Sequence, residues 1–161
     1  MHAPFHIAIA DPSDAAAFIA LRGQTRENAV SASRLASLGI TAETWAQDMR
    51  SGALVGYTAK SQDQLVGYCF GDTHTGEVVV LALLPQAEKM GLGRELLEHV
   101  VAALRDAGHQ RLFLACSSDP KVRSHGFYRR LGWRSTGVVD GHGDEVLEWV
   151  IAAHEPKAGA A

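Results

Sequence analysis

The chain has 161 residues, 47% hydrophobic and 20% charged, which is the make-up of one globular domain with a single sizeable core and excludes a chain disordered as a whole. With 15 Lys and Arg against 18 Asp and Glu, the net charge of -3 excludes the basic field that nucleic acid or an anionic membrane surface requires. Cys69 and Cys116 lie far apart in apolar runs and exclude a disulfide framework or a paired-cysteine zinc site.

Alternation over Phe5–Ala10 predicts a first strand, and Asp11-Pro12-Ser13 opens a helix reaching about Arg22. Residues 24–40 hold a polar loop and a short helix ending at Gly39. Thr41 caps a further helix, with Trp45 and Met49 on one face and Gly52 as its stop. Two strands follow, 54–60 and 64–71, joined by the turn Ser61-Gln62-Asp63. After the turn 72–76, the run 77–84 is apolar beyond its first residue, as in a strand covered on both faces.

A helix over 92–107 places Leu92, Leu96, Leu97, Val100, Val101 and Leu104 on one face, with Gly108 at its C-terminal end. The strand 111–116 completes a βαβ unit, whose two strands are therefore parallel. Ser118-Asp119-Pro120 starts a helix over 121–131 that Gly132 ends. Strands 133–139 and 145–153 flank the turn 140–144. Residues 1–154 thus form one domain, and 155–161 are expected to be a loose tail. No apolar run approaches a membrane span, and the N-terminus lacks the basic and apolar regions of a signal peptide. A cytoplasmic location is the expectation.

The most informative stretch is Val78–Arg94, where an apolar strand meets a helix opened by Gly91-Leu92-Gly93. Such a junction aims unpaired N–H groups, at the positive end of a helix dipole, beyond the strand and fits a pyrophosphate. Simple helix–sheet packing explains the glycines equally well. A dinucleotide-binding fingerprint fails, because Leu96 stands where a third small residue is needed and the next strand ends in Ala115-Cys116 without an acid. A P-loop fails because Arg94-Glu95 follows Gly93.

Two motifs resemble the GNAT superfamily of N-acetyltransferases. Glu88-Lys89-Met90-Gly91-Leu92-Gly93 is similar to its pyrophosphate motif, Arg/Gln-x-x-Gly-x-Gly/Ala, and Gly126–Trp133 to its Phe-Tyr-x-x-Leu-Gly-Phe signature. One helix and one strand separate them, as in that family. The resemblance implies an α+β fold: a mixed, mostly antiparallel twisted sheet with a central pair of splayed parallel strands and helices on both faces. It implies that acetyl-CoA is the acyl donor. Its pantetheine arm would lie along Leu81, Ala82 and Leu83, and its pyrophosphate on the N–H groups of Lys89, Met90, Gly91, Leu92, Gly93 and Arg94. The chain departs from the pattern at Glu88, where Arg or Gln is usual, at Lys121 for Asn and at Ser124 for Ala. The Glu88 side chain is expected to point away from phosphate.

The same resemblance makes Tyr128 the general acid that protonates the departing thiolate in a direct, ternary-complex transfer to a primary amine of a small molecule or peptide. Candidate bases are Glu27, Asp72, His74 and Glu77, with Glu27 slightly favoured; each reads equally as a solvated loop residue. The two cysteines read as packing rather than as acyl carriers. The eight histidines form no helical i, i+4 pair, so no metal is expected. The rival function is an acyl-CoA-binding regulatory module without turnover. Val146, Leu147, Trp149, Val150 and Ile151 would permit a homodimer or line a strand buried within a monomer.

Overall fold

The computed structural model describes residues 4–154, so the expected tail, 155–161, lies outside the described residues. The elements are β1 (Phe5–Ile9), α1 (Ala15–Arg22), α2 (Ala32–Ser37), α3 (Ala42–Arg50), β2 (Leu54–Ser61), β3 (Gln64–Asp72) and β4 (Val78–Leu83). Then come α4 (Leu92–Asp106), β5 (Arg111–Cys116), α5 (Arg123–Leu131), β6 (Arg134–Val139) and β7 (Glu145–Val150). Single 3-10 turns cover Pro12–Asp14, Pro85–Ala87 and Ile151–Ala153. Among the described residues, no helix is long and apolar enough to cross a membrane.

The strands form two antiparallel sheets, in the orders β1-β2-β3-β4 and β5-β7-β6. They meet at one parallel bridge, Glu77 with Phe113, where the Phe113 N–H donates to the Gly76 carbonyl at 3.2 Å. Beyond that bridge β4 and β5 diverge, and the facing edges carry no further pairing. This is the splayed parallel pair that the motifs implied. β3 is covered on both faces, because successive side chains alternate. Tyr68 and Phe70 enter an aromatic cluster with Phe18 of α1 and Trp45 of α3, at centroid separations of 5.2–5.7 Å. Cys69 between them faces the other core, with Leu96, Leu97, Val100 and Leu104 of α4.

Helix ends with local signals lie where expected. The Thr41 hydroxyl accepts the Thr44 N–H in a capping box, and Gly132, at φ +107°, closes α5. The start of α5 differs. Asp119 accepts the Lys121 N–H in a turn, and the helix begins at Arg123 rather than at 121. The last strand likewise stops at Val150, short of the expected 153, and Trp133 precedes β6. Leu147 and Ile151 are buried in the chain's own core, whereas Val138, Val139 and Val150 are exposed.

Candidate functional site

The open edge of β4 has a definite parity. The Leu84 N–H donates to the Val66 carbonyl at 2.8 Å, so the polar groups of Ala82, two residues earlier, also face β3. Those of Leu81 and Leu83 point the other way, into the gap toward β5. Leu81 and Leu83 therefore offer the unpaired strand edge, while buried Ala82 contributes wall. Strand pairing jumps from Phe70–Val80 to Gly71–Val78, which leaves Val79 as a bulge at the base of the gap.

The loop after β4 turns through Lys89 (φ 65°) and Gly91 (φ 78°) before entering α4. Among the described residues, no protein acceptor meets the main-chain N–H groups from Lys89 to Arg94. Lys89, Gly91, Gly93 and Arg94 line a cavity of about 270 Å³ that continues along Leu81–Leu83 to Phe127 and Tyr128. Exposed Met90 and buried Leu92 do not line it. Six cationic side chains, Arg22, Arg26, Lys89, Arg94, Arg123 and Arg130, line it against the carboxylates of Glu27 and Glu88. In a chain of net charge -3 this is a local positive field suited to an anionic ligand.

Glu88 is already committed. Its Oε2 lies 3.1 Å from Arg26 Nε and 2.5 Å from Arg123 Nη1, with the side chain 11% exposed. The carboxylate that departs from the motif thus ties the segment after α1 and the start of α5 to the loop that precedes α4. Glu27 supplies a second tie: its Oε2 accepts the Arg123 N–H at 3.0 Å. Val122 at the cap position of α5 has no acceptor, so a residue distant in sequence caps this helix.

A second cavity, of about 280 Å³, lies in the splay between Val78–Leu81 and Leu114–Ser117. It shares Arg22, Asn28, Leu81, Ser124 and Tyr128 with the first, so the two adjoin across these residues. Tyr128 is 8% exposed, and burial pushes its phenol well above the usual value, which keeps it a hydrogen-bond donor. Ser124 lies one turn before Tyr128 on α5, and among the described residues its buried hydroxyl has no partner, nor has that of Thr25 in the first cavity. Orphaned hydroxyls beside an open strand edge and an unpaired N–H row fit a polar, strand-like ligand with an anionic end, such as coenzyme A.

The other base candidates lie elsewhere. Asp72 accepts the His74 and Thr75 N–H groups in a turn, and neither these residues nor Glu77 lines either cavity. Lys121 is exposed and lines neither. Burial raises the thiols of Cys69 and Cys116, which disfavours the thiolates. No group of three or more metal-ligating side chains occurs among the described residues. The sequence reading did not pick out Arg22, Thr25, Asn28, Arg123 or Asp144. A signal existed only for Ser124, which its helical spacing from Tyr128 places on the same face.

Comparison with known proteins identifies the family and the fold. Residues 17–133 match the model of the acetyltransferase (GNAT) family. An uncharacterized ycf52-like N-acetyltransferase of Prochlorococcus marinus is 30% identical over 89 residues, and the match spans 55% of this chain but 43% of that protein. PaiA N-acetyltransferase from Thermoplasma acidophilum, in complex with coenzyme A, has the same fold at a TM-score of 0.75 and 18% identity, covering 91% of this chain and 99% of that one. The yncA protein of Salmonella typhimurium, with its cofactor acetyl-CoA, aligns at 0.67 and 19% identity over 96% of this chain and 99% of its own.

Proposed function

The chain belongs to the GNAT acetyltransferase family, and on that premise we propose that it moves the acetyl group of acetyl-CoA to a primary amine by direct transfer in a ternary complex. One observation carries this reading: the unpaired N–H row from Lys89 to Arg94 continues into the open edge of Leu81 and Leu83. The row would hold the diphosphate through main-chain donors, and Leu81 and Leu83 would pair with the pantetheine amides as a strand does. The donor supplies an acetyl thioester. The amine nitrogen bonds to the acetyl carbon, the carbon–sulfur bond breaks, and the proton lost by the amine balances the one gained by sulfur.

Tyr128, at the junction of the two cavities, would give its phenolic proton to the leaving sulfur. Glu27 has its Oε2 on the Arg123 N–H, and its Oε1, which accepts no hydrogen bond among the described residues, would take the amine proton through water. The second cavity, adjoining the thioester end, favours a transferase over a binding module, which needs no room for an acceptor. Thiol release from acetyl-CoA against a panel of amines tests the reading. Amine-dependent release supports it; binding of acetyl-CoA without release on any amine points to the regulatory module instead.

A further inference from the structure

The second cavity is lined by two charges of opposite sign that form no salt bridge among the described residues. Arg22, half-buried at the end of α1, donates one N–H to the Asn28 carbonyl and has no carboxylate within salt-bridge distance among the described residues. Asp144, half-buried beside β7, has no cationic partner among them either. Both line the same cavity of about 280 Å³ without forming a salt bridge to each other. The buried Ser124 hydroxyl, also unpartnered, lines it too.

Half-buried charges are costly unless paired, and a guanidinium with donors to spare matches a carboxylate in the bidentate geometry that suits it best. A ligand carrying both charges satisfies both groups at once. We propose that the acceptor is a small amine that also bears a carboxylate, an amino acid, seated with its carboxylate on Arg22 and its amino end toward Asp144. This rests on the acetyl-transfer reading above and narrows it. The diphosphate is the other anion Arg22 could meet. Of its donor segment, Lys89, Gly91, Gly93 and Arg94 line the first cavity and none lines the second, whereas Arg22 lines both.

The test compares the wild-type protein on matched acceptors: each standard amino acid, its carboxamide and the amine left on removing the carboxylate, read as thiol release from acetyl-CoA. The proposal expects at least one amino acid to exceed its carboxamide and its amine by about tenfold or more in kcat/KM. It expects Arg22→Gln to shrink that ratio to about threefold or less, chiefly through KM, with coenzyme A affinity within about threefold of wild type. Asp144→Asn should raise KM for the same acceptor. Carboxamides or plain amines reacting as well as the acids would overturn the acceptor assignment and leave acetyl transfer intact. An Arg22→Gln loss confined to coenzyme A affinity would assign the guanidinium to the cofactor and overturn it too. Acetyl-CoA binding with no thiol release on any acceptor would sink acetyl transfer and the assignment together. The wild-type ratio decides the matter even if Arg22→Gln does not fold.

Discussion

The Glu27 carboxylate accepts the Arg123 main-chain N–H at 3.0 Å, across 96 positions of sequence. Through this contact the segment after α1 caps the helix that carries Ser124 and Tyr128, so an element lining the first cavity also fixes the proposed acid. Arg123 is held twice, by Glu27 at its backbone and by Glu88 at its guanidinium.

Glu27→Gln and Glu27→Ala separate capping from base catalysis. The glutamine keeps a carbonyl acceptor for the Arg123 N–H, and alanine removes it. Alanine should cost about 1 kcal/mol of stability, the usual value of a lost helix cap. Glutamine should fold nearly as well as wild type yet lose about tenfold or more in kcat, as expected of a removed base. Thermal melts and steady-state thiol release check both. Full turnover in the glutamine variant would leave Glu27 with the capping role alone.

Tyr128→Phe should keep the fold, since the buried ring still fills its place. Turnover should fall by about tenfold or more while the dissociation constant for coenzyme A changes little, the mark of an interaction made in the transition state. Steady-state kinetics with calorimetric titration checks this. Unchanged kcat would remove Tyr128 from the proton transfer.

The two glycines of the proposed diphosphate site should respond differently. A methyl at Gly91 meets nothing within 4 Å, but φ is +78°, so Gly91→Ala should cost about 1 kcal/mol of backbone strain. At Gly93 a methyl would stand 3.4 Å from Leu83 Cδ1 and 3.5 Å from Phe127 Cζ, which is ordinary contact. Gly93→Ala should therefore hold or raise stability, by up to about 1 kcal/mol of helix propensity. It should still weaken coenzyme A binding, because the methyl occupies the cavity wall. Melting and titration of both variants show whether stability and affinity part company at Gly93.

The fold was legible wherever the signal was local. Thr41, Gly108 and Gly132 mark helix ends by their own chemistry, and the apolar face of α4 stands out by its period. The start of α5 was misplaced by two residues because its cap arrives from Glu27. The strand with the open edge could be named, but not which of its residues face the gap. That parity depends on the pairing of Leu84 with Val66 and on the bulge at Val79. The N–H row of the site lies in one motif. Arg22, Ser124 and Asp144 come from three distant segments and meet only in the folded chain.

Burial, Asp72 and Asp140 together raise the Glu77 carboxyl above its ordinary value of 4.5. A raised folded-state value favours the folded protein at low pH, and that contribution is lost as pH rises through it, so at pH 7 the Glu77 charge opposes folding. Glu77→Gln should therefore raise the melting temperature at pH 7, with the gain fading below 4.5. Melts across that range check it, and equal melting temperatures at pH 7 would refute the repulsion. Glu77 lines neither cavity, so coenzyme A affinity should not change.

A crystal structure grown with coenzyme A tests the central claim most directly. Diphosphate oxygens should lie within hydrogen-bond distance of the N–H groups between Lys89 and Arg94, with the pantetheine arm between β4 and β5 against Leu81 and Leu83. Coenzyme A bound elsewhere on the chain, or a cleft left empty at saturating ligand, would contradict the account.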